Sequence, residues 1–215
     1  MPEYSPSSRR PIAEIFRRTA HLAVEFCVAA RIHPNTVSLS SIGASAIAAI
    51  CFWQSGRWPW LLIPAVLFCY VRLWLNMLDG MVALAAGVAS KQGEIYNELP
   101  DRISDVLIFV GVAHSGLASP WGGYWAALMA VLTAYVGMFG QALSVGRQFG
   151  GLMTKPWRMV TLNVGAWATL WLLMRRGTNS TFAGLTLLDW THIIVIIGCV
   201  QTIAVRLRSI MRQLG

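Results

Sequence analysis

The chain has 215 residues and a formal net charge of +8, with 56% hydrophobic and only 12% charged residues. A soluble domain carries about 25% charged residues, so this composition excludes an ordinary soluble protein and predicts an integral membrane protein. The length suits one domain with several membrane spans and no large soluble part. The positive charge then favours contact with anionic lipid headgroups and argues against nucleic acid as a partner.

The N-terminal segment, residues 1–33, is predicted to lie in the cytoplasm. Within it, residues 9–33 alternate basic and apolar side chains at helical spacing. This pattern predicts an amphipathic helix on the membrane surface, and the alternative is an ordinary helix packed on the bundle. The first twenty residues are polar and rich in arginine, which is not the pattern of a cleavable signal peptide.

Six apolar runs follow, each near the length of about 20 residues that a helix needs to cross a bilayer. They predict an all-α membrane protein whose six-helix bundle covers residues 37–206. With the N-terminal segment, the bundle forms a single domain of residues 1–215. The predicted spans are 37–56, 60–86, 101–118, 122–144, 159–175 and 188–206.

The distribution of lysine and arginine predicts that both termini are cytoplasmic. In that orientation twelve of the 17 basic residues flank the inner ends of the spans. Only Arg57, Arg175 and Arg176 flank the outer ends, as expected for cytoplasmic loops enriched in positive charge. An even number of spans places both termini on one side, so the two predictions agree. A chain of this kind is typical of a bacterial inner membrane.

Polar residues interrupt the chain where the second predicted span ends and the third begins. Carboxylates at membrane depth are costly, so they usually face the bundle interior and mark a functional site. Oxygen-bearing side chains on two facing helices, beside glycines that allow close approach, suit a hard cation. The residues are Asn76, Asp79, Gly80, Gly93, Asn97, Asp101 and Asp105. For Asp105 an ion pair with Arg72 or Arg102 is an equal alternative.

The spacing of these residues resembles the motif of the CDP-alcohol phosphotransferase family, DxxDGxxARx8GxxxDxxxD. Six of the nine motif positions are identical and every spacing is kept. Asn76 and Asn97 replace aspartates, and Leu84 replaces the arginine. The stretch HPNTVSLSS, residues 33–41, is similar to the family's start of the first span. The resemblance covers nearly the whole chain.

The resemblance implies a transferase of phospholipid biosynthesis that depends on Mg²⁺ or Mn²⁺. In this family a hydroxyl of an acceptor alcohol attacks the phosphorus of a CDP-linked donor, usually CDP-diacylglycerol, and CMP leaves. The resemblance also implies a homodimer, which small residues in the third and fourth spans permit. Those small residues are Gly111, Gly116, Gly137 and Gly140.

Residue by residue, the resemblance implies roles for the matching positions. Asp101 is the expected general base. The expected metal ligands are Asn76, Asp79, Asn97 and Asp101. The expected nucleotide contacts are Asn35, Ser38, Asp79, Gly80, Ala83 and Gly93.

The two asparagines leave the metal content open, because ligand charge tunes the affinity for divalent ions. Two ions, one ion or none are compatible with the sequence, and Glu94, Glu98 or Asp105 is placed to compensate for the lost charge. Two functions stay open accordingly. One is a divergent transferase, and the other is a catalytically silent relative that binds a CDP-lipid or lipid as a partner or regulator.

Three basic residues lie between the fourth and fifth predicted spans, on the side of the motif. Arg147, Lys155 and Arg158 are predicted to bind a phosphate on the acceptor alcohol. The alternative is that they only reflect the positive charge of cytoplasmic loops. If they bind a phosphate, the acceptor is anionic.

Overall fold

The computed structural model describes residues 22–88 and 91–215. Its first helical segment, α1, covers residues 22–29. Val24 and Cys27 of α1 are buried in a cluster with Val37, while Leu22 and Phe26 are 70% and 67% exposed. The described part of the predicted amphipathic helix thus has one face on the bundle and one apolar face outside it, and the rest of that prediction, residues 9–21, lies outside the described residues.

Six long helices follow α1. They are α2 (Pro34–Gln54), α3 (Leu62–Ala85), α4 (Lys91–Ala113), α5 (Pro120–Ala142), α6 (Lys155–Arg176) and α7 (Leu187–Leu214). A short 3₁₀ turn, Pro59–Leu61, precedes α3. A minimal antiparallel pairing of Thr181–Phe182 with Leu185–Thr186 joins α6 to α7.

Four of the helices are long and apolar enough to cross a membrane. These are α2, the continuous stretch Pro59–Ala85, α5 and α7. Helices α4 and α6 are less apolar because charged residues of the polar site lie in the first half of α4 and the first turn of α6. The all-α membrane class is confirmed, and the count of six spans remains a prediction.

Helix α4 begins at Lys91, well before the predicted start of the third span at residue 101. The helix is longer than the predicted span because residues 91–100 are helical but too polar to form part of an apolar run. Since α4 is helical from Lys91, Asn97, Asp101 and Asp105 succeed one another at intervals of four residues and share one face. The motif is therefore displayed on a regular helix.

The packing of the helices leaves a space at one end of the bundle. Helix α2 packs against both α3 and α4, whereas α3 and α4 make little direct contact. Helix α5 packs against α4 and α7, and α6 packs against α7 and α3. The start of α2, the end of α3 and the start of α4 lie at the same end of the bundle, around this space. An apolar core that includes Phe52, Phe109 and Leu162 fills the middle of the bundle.

Three of the four glycines that the sequence offers as dimer contacts pack inside the chain. A Cβ on Gly111 would lie 2.5 Å from the carbonyl oxygen of Ala49. A Cβ on Gly137 would lie 2.6 Å from Nη1 of Arg206, and one on Gly140 would lie 2.6 Å from a backbone oxygen. These glycines serve the bundle itself and give no separate support to a homodimer.

We expect Gly111→Ala to destabilise the bundle, because the new methyl group meets the backbone of α2, which cannot move aside. Overpacking of this kind costs about 1–3 kcal/mol. The matched control is Gly43→Ala, since no described atom lies within 4 Å of a Cβ at Gly43. Thermal unfolding in detergent should show a lower midpoint for Gly111→Ala and an equal or higher one for Gly43→Ala. Equal midpoints for the two variants would contradict the close packing of α2 and α4.

Candidate functional site

A cavity of about 500 Å³ opens between the start of α2, the end of α3 and the start of α4. All six residues that the sequence assigns to nucleotide contact line this cavity. They are Asn35, Ser38, Asp79, Gly80, Ala83 and Gly93. The structure thus brings together residues that are up to 58 positions apart in the chain, and their individual roles stay predictions.

The first turn of α2 is held in place by its N-cap. Nδ1 of His33 accepts a hydrogen bond from the backbone N–H of Asn35 at 3.2 Å. Pro34 occupies the first helical position, where its fixed φ favours the helix and its missing N–H is not needed. One turn on, Ser38 donates to Asp79 at 2.6 Å. The cap therefore fixes the position from which Ser38 reaches α3.

Asp79 connects the three helices that surround the cavity. Its side chain is buried, and Oδ2 accepts the Ser38 hydroxyl of α2. Oδ1 accepts the backbone N–H of Gly80 at 2.6 Å and Nδ2 of Asn97, on α4, at 2.9 Å. All three donors are neutral, so hydrogen bonds hold this carboxylate in a fixed orientation at the cavity wall.

Gly80 has no role in packing the described chain. No described atom lies within 4 Å of a Cβ built on it, although glycine inside a helix is less stable than alanine by about 1 kcal/mol. Gly80 lines the cavity. The open space above this residue is therefore part of the cavity, and it lets a bound molecule approach the helix backbone.

Asp101 lies between α3 and α6. Its Oδ1 accepts Nδ2 of Asn76, and its Oδ2 accepts the ammonium of Lys155. Nη2 of Arg72 lies 3.6 Å from Oδ1 and donates to the Asp101 carbonyl oxygen at 3.1 Å. The carboxylate is 5% exposed, so these groups surround it almost completely.

A second cavity of about 320 Å³ adjoins the first and is lined by the three residues predicted to bind an acceptor phosphate, Arg147, Lys155 and Arg158. Asp101 lines it too. The two cavities share Asn97, Glu98 and Arg147 in their walls, so they lie side by side next to the motif.

The sequence has relatives of known name, although no family model matches it. It is 27% identical over 159 residues to a phosphatidylinositol phosphate synthase of Mycobacteroides abscessus, covering 71% of this chain and 70% of that protein. It is 27% identical over 135 residues to inner membrane protein YnbA of Escherichia coli, covering 62% of this chain and 65% of that protein. An archaetidylinositol phosphate synthase of Pyrococcus horikoshii is 28% identical over 112 residues, which cover 52% of this chain and 53% of that protein.

The fold agrees with the sequence relatives. A crystal structure of Mycobacterium tuberculosis phosphatidylinositol phosphate synthase with CDP-DAG bound superposes with a TM-score of 0.71 at 19% identity, over 90% of this chain and 94% of that one. A structure of the same enzyme with manganese and citrate gives 0.70 at 19% identity, over 89% and 88% of the two chains. The sequence relatives and the fold support the CDP-alcohol phosphotransferase family, whose motif the chain resembles.

For a member of this family, the four expected metal ligands carry little charge. Asn76 and Asn97 are neutral, so the set brings a formal charge of −2 from Asp79 and Asp101. Each asparagine donates to the aspartate of the facing helix. Within the described residues, no group of three histidine, cysteine or acidic side chains is placed to hold a metal ion. Oxygen ligands of this kind suit a hard cation, and a ligand set with fewer carboxylates binds it less strongly.

Asp105 and Glu98 do not make up the missing charge. Asp105 accepts Nη2 of Arg72 at 2.8 Å and Nη2 of Arg158 at 2.6 Å, and all three side chains are at least 97% buried. The two oxygens of Glu98 pair with Arg102 and Arg147. Asp105 is therefore a structural partner of Arg72, as one of the alternatives had it, and Glu98 belongs to a network of arginines. The side chain of Glu94 lies outside the described residues.

Two arginines that line the second cavity were not predicted from the sequence as site residues. Arg206, near the end of α7, lines it and donates to the backbone oxygens of Thr133 and Gly150 at 2.6 and 2.9 Å. Arg102 lines it as well. The sequence predicts Arg102 only as a partner of Asp105, and Arg206 only as a basic residue at the inner end of a span. Their positions directly after Asp101 and at the inner end of the last span were the available signals.

We expect Asp105→Asn to destabilise the protein strongly, because it leaves two buried guanidinium groups without a counter-charge. Breaking a buried ion pair from one side costs about 3–5 kcal/mol. The triple variant Arg72→Met, Asp105→Leu and Arg158→Met removes all the charges together and should recover most of the loss. Denaturant unfolding monitored by tryptophan fluorescence distinguishes them. An Asp105→Asn protein as stable as the unmodified one would show that these charges remain hydrated.

Proposed function

We propose that this chain transfers a phosphatidyl or other phospho-alcohol group from a CDP-linked donor such as CDP-diacylglycerol to an alcohol acceptor, releasing CMP, in phospholipid biosynthesis. The observation that carries the proposal is the pair of adjoining cavities. One is lined by the motif and the start of α2, and the other is lined by basic residues and Asp101. A two-substrate transfer needs two such compartments that meet at the reacting atoms.

The donor nucleotide is proposed to occupy the larger cavity. Gly80 and Ala83 leave its wall open, and Asn35 and Ser38 supply polar groups at the start of α2. The family member from M. tuberculosis was crystallised with CDP-DAG, which supports a CDP-lipid as donor. Leu84, 67% exposed at the cavity wall, offers an apolar surface where the family motif has an arginine.

Asp101 is proposed as the general base. It takes the proton of the acceptor hydroxyl while the hydroxyl oxygen forms its bond to phosphorus. The bond from that phosphorus to the CMP oxygen breaks, and CMP leaves with the electron pair. Asn76 and Lys155 hold the Asp101 carboxylate in one orientation, which fixes the direction of proton transfer.

A divalent cation fits this chemistry, since a relative's structure contains manganese. Its candidate ligands are Asn76, Asp79, Asn97 and Asp101. When bound, Mg²⁺ or Mn²⁺ neutralises charge on the diphosphate and polarises its oxygens.

The acceptor is proposed to carry a phosphate of its own. Five basic side chains line the smaller cavity: Arg102, Arg147, Lys155, Arg158 and Arg206. Arginine forks match the geometry of phosphate oxygens. Several relatives are named phosphatidylinositol phosphate synthases, and these names support a phosphorylated polyol over choline or ethanolamine.

In the membrane, we propose six spans with both termini and the site on the cytoplasmic side of a bacterial inner membrane. The name of the E. coli relative, an inner membrane protein, supports this location. The homodimer that the resemblance implies is part of the same proposal.

The second candidate is a silent relative that binds a CDP-lipid without turnover. It is favoured by one observation, namely that each motif asparagine donates to an aspartate of the facing helix. In each pair the neutral amide donates a hydrogen bond to the charged carboxylate. The fold therefore does not need an ion to hold the two side chains of a pair together.

We expect Asp101→Asn to reduce CMP release from CDP-diacylglycerol by about 100-fold or more, since a general base contributes about 10²–10⁴-fold. Release is measured with Mg²⁺ or Mn²⁺ present, across phosphorylated and unphosphorylated polyols. Arg176→Gln, at the opposite end of the bundle, is the control and should keep full activity. If the unmodified protein binds CDP-diacylglycerol but releases no CMP with any acceptor, the second candidate, a relative that binds a CDP-lipid without turnover, is correct.

We expect Gly80→Val to raise the KM for the CDP-linked donor by about tenfold or more, equivalent to about 1.4 kcal/mol of binding. The Cβ of the new side chain would enter open cavity space, with no described atom within 4 Å, so the unfolding midpoint should not fall. Gly43→Val serves as the control, since no described atom lies within 4 Å of a Cβ at Gly43 either, and it should leave KM unchanged. An unaltered KM for Gly80→Val would place the nucleotide elsewhere.

A further inference from the structure

The start of α6 carries two cations that helix electrostatics disfavours. Lys155 and Arg158 occupy its first turn, and no acidic residue accompanies them. The N-terminus of a helix bears a partial positive charge, so cations there are repelled. Both instead face aspartates of α4, Lys155 at Asp101 and Arg158 at Asp105. The placement of Lys155 is therefore explained by Asp101 and not by the helix that carries it.

The two carboxylates of the site differ in their surroundings. Asp79 accepts only neutral donors among the hydrogen bonds described above, from Ser38, Gly80 and Asn97. Asp101 already has a fixed positive charge on Oδ2, the ammonium of Lys155. A divalent ion bound to Asp101 would have to displace that ammonium or lie beside it, where like charges repel. Asp79 has no such competitor in these contacts.

The formal charges of the site also favour a single divalent cation. Two aspartates and two asparagines give −2, and Lys155 reduces this to −1. One divalent cation together with Lys155 balances the carboxylates and leaves one positive charge for the substrate phosphates. Two divalent cations beside Lys155 would leave an excess of three positive charges in a nearly buried site.

We propose that this site binds one divalent cation, at Asp79 with Asn97, and that the ammonium of Lys155 replaces a second cation beside Asp101. The proposal rests on the proposed transfer reaction and deepens it. Lys155 is a positioning residue: it holds Asp101 in place and supplies the positive charge that a second ion would otherwise bring to the transferred phosphate.

The test counts Mn²⁺ by electron paramagnetic resonance on the full-length protein in detergent, with and without CDP-diacylglycerol. We expect one ion per chain. Asp79→Asn should abolish binding, whereas Asp101→Asn should leave the ion bound. Two ions per unmodified chain, no ion at all, or loss of the ion in Asp101→Asn would overturn the proposal.

A second series isolates the role of Lys155. In the Asn76→Asp, Asn97→Asp background, adding Lys155→Met should raise the affinity for a second Mn²⁺ by about tenfold or more, because ligand charge sets the affinity. Adding Lys155→Arg keeps the positive charge and should leave that affinity low. If Lys155→Met changes the unfolding midpoint but not Mn²⁺ affinity, Lys155 is only structural and the proposal fails.

Ion counting does not depend on turnover, so the two proposals fail separately. One ion per chain without CMP release from any acceptor would retain the ion assignment and refute the transfer reaction. CMP release with two bound ions would support the transfer reaction and refute the ion assignment.

Discussion

The structure depends on how two carboxylates on one face of α4 are neutralised. Asp101 and Asp105, one turn apart, meet Arg72 from α3 and Lys155 and Arg158 from α6. Because α3 and α4 make little direct contact, the Arg72 ion pairs and the two asparagine–aspartate pairs connect these helices at the site. Helix α2 packs against both of them. The position of α2 and the buried charges thus define the site together.

This arrangement also assigns separate tasks to neighbouring residues. Asp105 is fully engaged by two arginines and serves the fold, while Asp101, a turn away, lines the second cavity. Glu98 and Arg147 stand where the two cavities meet. At the two motif positions that carry asparagine, the amide groups donate to the facing aspartates and so connect α3 and α4 at the site.

Much of the fold and the grouping of site residues could be predicted from the sequence. Apolar runs marked the helices, and the kept spacing of the motif grouped Asp79, Gly80 and Gly93 around one cavity. The extent of α4 before residue 97 could not be predicted firmly, because hydropathy marks the apolar span and not the polar turns that precede it. The ion-pair partners could not be predicted from the sequence either. Nothing in the spacing distinguishes Arg158 from Arg102 as the partner of Asp105. Nothing in it pairs Lys155 with Asp101 across 54 residues. Such pairings depend on tertiary packing, which local pattern does not encode.

The central claim is that the adjoining cavities join a CDP-linked lipid to a phosphorylated alcohol. Mass spectrometry of the lipids formed from CDP-diacylglycerol tests it most directly, with inositol phosphate and free inositol as a matched pair of acceptors. We expect a new phospholipid whose mass corresponds to a phosphatidyl group joined to the acceptor. This product should retain the acceptor's phosphate and form only from the phosphorylated alcohol. Formation of product from free inositol alone would contradict the role of the basic cavity. No lipid product from a broad panel of alcohols, by a protein that binds CDP-diacylglycerol, would contradict the transfer itself.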